Sequence, residues 1–327
     1  MTIEIDLAPS RVGAAASARV GLSVIIPTYR RPKDLERCLC ALARQERLPD
    51  EVIAVFRDDD QSARRLLTGD IDEKVSIRLT EVASVGAVAA YNAGLDAARG
   101  EIVAICDDDS APRRDWLRRI EAAFLADPGL GGIGGRDFIW EQGRLVDGAA
   151  RDVGRIQWFG RMIGNHHLGV GPARTVDVLK GVNMAFRREA IASIRFDTRL
   201  KGEGAQVHLE VGFCAKLKKS GWKLVYDPAI AVDHYPAARH DRDRRDAWSA
   251  SAAVDASHNE TLASLEYLSP PRRFAFLVWA CFVGSRATPG LLQGVRLWLA
   301  GSPRPAAQAR AALRGRWEGW RTWRETR

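Results

Sequence analysis

The chain has 327 residues, 46% hydrophobic and 28% charged, proportions that suit a folded globular protein and exclude both a disordered chain and a membrane bundle. Its net charge of +8 is unevenly placed, because residues 301–327 hold seven arginines and two glutamates. Cys38, Cys40, Cys106, Cys214 and Cys281 show neither metal-ligand spacing nor a disulfide framework, and read as reduced thiols of a cytoplasmic protein.

Residues 1–20, with Ala, Pro, Ser and Gly crowded into 8–19, read as a flexible leader without the apolar core of a signal peptide. Leu22 to Ile26 is a β-branched run stopped by Pro27, a buried strand. Residues 32–45 carry Leu35, Leu39 and Leu42 on one helical face, with Pro32 suited to the first turn. Strands are expected again at Glu51 to Phe56 and at Ser76 to Leu79. Gly86 to Arg99 is a helix pattern that Gly100 would close. Glu101 to Cys106 is a fourth strand, running straight into Asp107-Asp108-Asp109.

Strands alternating with helices predict an α/β fold with a doubly wound, mainly parallel sheet, and such sheets bind ligands at the carboxyl ends of their strands. Three polar clusters fall there: Pro27-Thr28-Tyr29, Arg57-Asp58-Asp59-Asp60 and Asp107-Asp108-Asp109. Beyond residue 130 the pattern loosens among glycines, then gives a helix at 205–219 and a strand at Lys223 to Tyr226. The charged run Arg239 to Asp246 reads as a solvated connection. An apolar, arginine-rich segment covers 270–327, and its most apolar stretch, Phe274 to Val283, falls short of the ~20 residues that span a bilayer.

In extended backbone Asp107 and Asp109 would point the same way and could share Mg²⁺ or Mn²⁺, hard cations that prefer oxygen ligands and bridge to phosphates. Alone, the triplet suits equally a solvated turn that caps the next helix. The surrounding order is more specific. Ser23–Tyr29 with its following Arg-Pro, Glu51–Asp59, Tyr91-Asn92-Ala93-Gly94, Ile102–Asp109, Lys180–Arg188, Gly221-Trp222 and Val232-Asp233-His234 together resemble the family 2 glycosyltransferases of the GT-A fold, over roughly residues 22–236.

That resemblance implies a Rossmann-like GT-A domain at 21–236, with a nucleotide-sugar donor half at 21–127 and an acceptor half at 128–236. A helical C-terminal extension follows at 237–327. It implies a nucleoside-diphosphate sugar as donor, a saccharide or lipid-linked hydroxyl as acceptor, cell-surface polysaccharide or glycan assembly as the setting, and a divalent cation. Residue by residue, Pro27, Thr28 and Tyr29 match the base or ribose side, and Asp58 or Asp59 the acid after the second strand. Phe56-Arg57 stands where the family usually begins a pair of aspartates, so Arg57 is expected on a phosphate. Asn92 and Gly94 match donor-side positions, with Tyr91 in place of a common arginine. Asp107 and Asp108 fall on the donor, Asp107, Asp109 and His234 on the metal, and Lys180, Gly181, Asn183 and Trp222 on the acceptor side.

An inverting transfer needs a carboxylate to take the acceptor proton. Counting back from Trp222, the family's base position falls on Glu210, with Leu209 where a glutamate usually precedes it. The rival for Glu210 is a helix-surface pair with Lys216 or Lys218, and Asp197 and Glu203 are competing bases. His166, His167 and His208 read as structural or acceptor-side. Trp317, Trp320 and Trp323, flanked by arginines, form an oblique aromatic face that suits an anionic membrane surface, placing the protein peripherally on the cytoplasmic face of the inner membrane. The apolar segment 274–300, broken by Pro289-Gly290, would lie beside it in the headgroup region, and packing of both segments on the catalytic domain or a second subunit is the alternative. Nucleic acid is not an expected partner, since charge outside the tail is nearly balanced. A nucleotidyltransferase, or an inactive glycosyltransferase-like scaffold, would share the donor half.

Overall fold

Buried strands alternate with amphipathic helices, so the sheet must be covered on both faces. The structure, a computed structural model, describes residues 20–69, 75–240 and 247–327; the expected leader through residue 19 and residues 241–246 of the charged run lie outside them. In chain order come β1 (Leu22–Thr28), α1 (Pro32–Leu42), β2 (Glu51–Arg57), α2 (Gln61–Leu67), β3 (Ile77–Val82), α3 (Ala87–Ala97), β4 (Ile102–Ile105), β5 (Ser110–Pro112), α4 (Trp116–Ala126) and β6 (Leu130–Glu141). Short strands β7 (Arg144–Leu145), β8 (Arg155–Ile156), β9 (Met162–Ile163) and β10 (Arg174–Thr175) precede β11 (Met184–Arg187), α5 (Leu209–Lys219) and β12 (Lys223–His234). Four helices close the chain: α6 (Ala250–Tyr267), α7 (Pro270–Phe282), α8 (Leu291–Leu299) and α9 (Pro305–Glu325).

The main sheet runs β10-β12-β6-β11-β4-β1-β2-β3, with β1 to β4 parallel and β11 antiparallel to both neighbours. Strand periodicity sends Leu22, Val24 and Ile26 to a core shared with Leu35 and Leu39, and Ile25 to a second core with Val88 and Leu95. The mostly parallel α/β sheet and the helical C-terminal region agree with the sequence. One stop signal does not. Gly100 is no left-handed cap; α3 ends at Ala98 in extended backbone, and the Gly100 N–H donates to Ser23 Oγ at 2.7 Å.

Register positions the functional edge. Met184 pairs with Ile105, so antiparallel β11 begins where β4 ends, and the turn before it, residues 180–183, arrives at the carboxyl edge of the parallel strands. β12 is longer than expected and reaches His234, which pairs with Ser110 of β5, so the residue before β5, Asp109, comes beside it.

The C-terminal aromatic face departs from the sequence reading. α9 is held tightly on α6: a Cβ on Gly315 would lie 2.2 Å from Val254 O, and Ala311 and Ala312 are buried. Trp323 packs on the second core, with the Arg273 guanidinium 5.1 Å from its ring centroid. Trp317 alone of the three stands exposed, stacked on Trp320 at 4.9 Å. Packing therefore takes most of a face expected to meet lipid. Gly315→Ala should destabilise the protein despite the higher helix propensity of alanine, which is worth ~1 kcal/mol. Overpacking against a backbone oxygen costs ~1–3 kcal/mol, so a lower urea midpoint is expected. An unchanged or raised midpoint would mean that the two helices are not in close contact.

Candidate active site

Six chain segments bring the candidate residues to one cleft of ≈ 410 Å³ at the carboxyl edge of the sheet. β1 delivers Pro27, Thr28 and Tyr29, β2 delivers Arg57, and the loop after β4 delivers Asp107 and Asp109. The turn before β11 adds Lys180 and Gly181, the first turn of α5 adds Glu210, and β12 ends at His234.

The three aspartates are not extended. Asp108 and Asp109 form a turn in which the Asp107 carbonyl accepts from the Ser110 N–H at 3.1 Å, and this separates their roles. Asp107 and Asp109 line the cleft, whereas Asp108 turns inward, wholly buried, taking the Thr28 hydroxyl at 2.6 Å and the Arg31 guanidinium at 2.9 Å. Asp108 is therefore placed to orient Thr28 and Arg31 rather than to touch a donor. Burial, then repulsion from Asp109, raises the Asp107 carboxyl above the ordinary range, and the Tyr91 hydroxyl donates to its Oδ1 at 3.0 Å. Burial pushes Asp109 the same way, but hydrogen bonding and attraction from His234, then Arg31, hold it well below that range.

His234 links two acids. Its Nε2 lies 3.4 Å from Asp109 Oδ1, and its Nδ1 lies 3.3 Å from Asp137 Oδ2. Burial disfavours the imidazolium, yet these two carboxylates outweigh it and raise the imidazole to about 9. Asp137, fully buried in β6, also takes the Lys180 ammonium, so one carboxylate holds two cleft residues. The sequence reading passed over Asp137. It sits in a glycine-rich stretch without clear period, and only the parallel pairing of β12 with β6 brings it beside His234.

Glu210 is not paired with lysine. Lys218 engages Asp177 instead, while Glu210 Oε1 accepts from the Gly181 N–H at 2.9 Å. Burial raises its carboxyl above the ordinary range, against the pull of the backbone N–H groups of Glu210 and Gly181. Glu203 also lines the cleft, but Asp197 is held by Arg199 at 2.7 Å outside the lining. The loop that leads to α5 is held by amides at Lys201 and Gln206, with Lys201 also paired to Glu318 of α9 at 2.9 Å. Gln206 Oε1 accepts from the Val88 N–H at 2.8 Å at the start of α3, and Asn259 of α6 bonds both the N–H and the carbonyl of Lys201.

Several expected contacts are absent for local reasons. Asp58 and Asp59 are exposed outside the cleft lining, and Asp59 pairs with Arg30 and Arg57. Tyr29 lies under two guanidinium groups, Arg57 at 4.2 Å and Arg30 at 4.9 Å from the ring centroid. Asn92 ties α3 to the backbone of Phe196 through both amide atoms, and Gly94 lets the helix close on Ile25, where a Cβ would come within 2.4 Å. Asn183 is buried, taking the Trp116 indole N–H at 2.9 Å and donating to Ile230 O at 2.8 Å. Trp222 sits at the opposite end of β12 from His234, against Gly131. His166 is buried against Val178 O at 2.9 Å, while His208, in left-handed backbone, lines the cleft.

The family model for glycosyl transferase family 2 matches residues 23–195, more than half of the chain. The chain belongs to that family. Among curated relatives, a chondroitin synthase of Pasteurella multocida (strain Pm70) is 33% identical over 37% of this chain, and a hyaluronan synthase of Pasteurella multocida is 35% identical over 37%. Each match spans 13% of the relative's own length. A mannosyltransferase of Pyrobaculum calidifontis, solved with GDP-Man and Mn²⁺, superposes with a TM-score of 0.53 at 17% identity, covering 95% of this chain and 89% of that one. S. aureus TarS with UDP-GlcNAc gives 0.56 at 17% identity, covering 94% and 91%. At such identities the likeness shows the GT-A fold.

The donors of this family 2 cleft bear on whether it suits a divalent cation. Among the described residues no three His, Cys, Asp or Glu side chains already surround one point. The chemistry nonetheless fits, because Asp107 and Asp109 supply oxygens and the buried His234 Nε2, 3.4 Å from Asp109 Oδ1, supplies a nitrogen beside them. Binding there would require the imidazole to give up its proton.

Proposed function

We propose that residues 21–236 form an inverting glycosyltransferase domain that moves a sugar from a nucleoside diphosphate to a saccharide or lipid-linked hydroxyl during cell-surface glycan assembly, on the cytoplasmic side. Its donor half is 21–127 and its acceptor half 128–236. The observation that carries this reading is the position of Glu210, a carboxylate with a raised proton affinity facing the same cleft as Asp107, Asp109 and His234. Asp107, Asp109 and His234 would hold Mn²⁺ or Mg²⁺, which when bound neutralises charge on the leaving diphosphate. Arg57 and Tyr29, which line the cleft, would take the nucleotide, and Lys180 a phosphate or acceptor oxygen. Glu210 removes the acceptor proton as the hydroxyl attacks the anomeric carbon. The acceptor oxygen gains the glycosyl bond, and the bond to the diphosphate breaks with inversion.

A thermal-shift series with GDP, UDP and other nucleoside diphosphates, each with and without Mn²⁺, tests the donor side. A ligand present at a hundred times its Kd stabilises by about 2.7 kcal/mol, so one nucleotide should raise the melting temperature and do so more strongly with the cation. If no nucleoside diphosphate moves the transition under either condition, the donor reading fails.

A further inference from the structure

We propose that the hairpin of α7 and α8 docks the protein on an anionic lipid bilayer. Nine of the seventeen exposed large apolar side chains among the described residues fall within 274–299. α8 is amphipathic in the inverted sense: Leu291, Leu292, Val295, Trp298 and Leu299 share its outward face, and only Gly294 is buried. α7 repeats this with Phe274, Val278 and Phe282 at intervals of four, Phe274 being 72% exposed. Water is a poor solvent for so continuous a face, and isolated patches of this size on a soluble protein mark an interaction surface.

Charge selects the partner. From Tyr267 to Trp317 the chain contains no Asp or Glu and eight arginines. A cavity of ≈ 500 Å³ beside the hairpin is lined by Arg161, Arg286 and Arg296, with Trp279 and Leu297 between them. Among the described residues none of the three arginines makes an ion pair. Guanidinium groups next to an apolar face match the phosphate layer above acyl chains, where arginine and tryptophan concentrate. A two-fold contact with a second copy would set this acid-free surface against itself, like charge on like. Helices of 13 and 9 residues are too short to cross a bilayer, and no described helix is long and apolar enough to do so, so the hairpin lies along the interface. This surface differs from the Trp face of α9, and the inference stands whatever the cleft transfers.

Flotation of the full-length protein with phosphatidylcholine vesicles, with and without phosphatidylglycerol, is the test. Binding to the anionic vesicles at low salt is expected, weakened by added salt and weak on phosphatidylcholine alone. Leu292→Glu and Trp298→Glu should each reduce binding about tenfold or more, because each removes the burial of a large apolar side chain. Arg286→Gln with Arg296→Gln should lower binding to the anionic vesicles selectively. All these positions are exposed or at the rim, so an unchanged melting temperature checks that the variants fold. The proposal is overturned if wild type ignores anionic vesicles at low salt, or if the Leu292→Glu, Trp298→Glu double variant binds as well as wild type. It is overturned equally if sedimentation shows a dimer that Leu292→Glu dissociates while vesicles are ignored, since a second copy would then own the face.

Discussion

Asp109→Ala is expected to lower sugar transfer by at least ~10²-fold, the scale seen when a preorganised charge in a reacting site is removed. The same variant should lose the Mn²⁺-dependent part of the stabilisation by a nucleoside diphosphate. Asp109 accepts from Arg31 at 3.2 Å and the Ala237 N–H at 3.0 Å, and faces His234. It therefore joins the segment after β12 to the loop after β4. Its removal leaves buried positive charge, a loss that can itself cost ~3–5 kcal/mol. Asp109→Asn separates the two effects, because it keeps the volume and an acceptor for Ala237 while discarding the charge. If Asp109→Asn folds and turns over at the wild-type rate, the carboxylate is not a cation ligand. Asp107→Asn should also be damaging, with the Tyr91 hydroxyl still satisfied by the amide oxygen.

Glu210→Gln should reduce kcat by ~10²- to 10⁴-fold with little change in donor affinity. Glutamine preserves the acceptor for the Gly181 N–H, so the turn before β11 keeps its geometry and only proton uptake is lost. The pH profile provides a second readout. A base works when deprotonated, so the rate should climb as pH rises through the Glu210 transition, which burial places above the ordinary carboxylate range. That ascending limb should vanish in Glu210→Gln. Should the variant keep wild-type turnover while Glu203→Gln or Asp197→Asn loses it, the base lies in the loop before α5. Asp197 is the weaker rival, since Arg199 already holds it.

The donor-side strands were legible because a buried β-branched run ending in polar residues has few other readings, and the cleft does form where β1, β2 and β4 end. Side-chain direction was far less legible. Asn92 and Asn183 carry amides that suit a ligand or a backbone equally, and only the positions of Phe196 and Ile230 decide between them. Asp108 sits between two cleft-facing acids, and the turn through Asp108 and Asp109 decides which of the three turns inward. Asp137 needed the pairing of strands nearly a hundred residues apart. For α8 the apolar periodicity announces a face, but periodicity carries no information about whether that face meets the protein or the solvent.

The two clamps on the loop before α5 are both carboxamides, Gln206 toward α3 and Asn259 toward α6. Neutral hydrogen bonds feel neither proton concentration nor ionic atmosphere as an ion pair does. The loop that bears Glu203 and leads to Glu210 is thus fastened at Gln206 by a bond indifferent to electrolyte, whereas at Lys201 the Asn259 amide works beside an ion pair to Glu318 that salt screens. Ionic strength would then bear on the encounter with phosphates and on the Lys201 end of the loop, and leave the Gln206 end where it is.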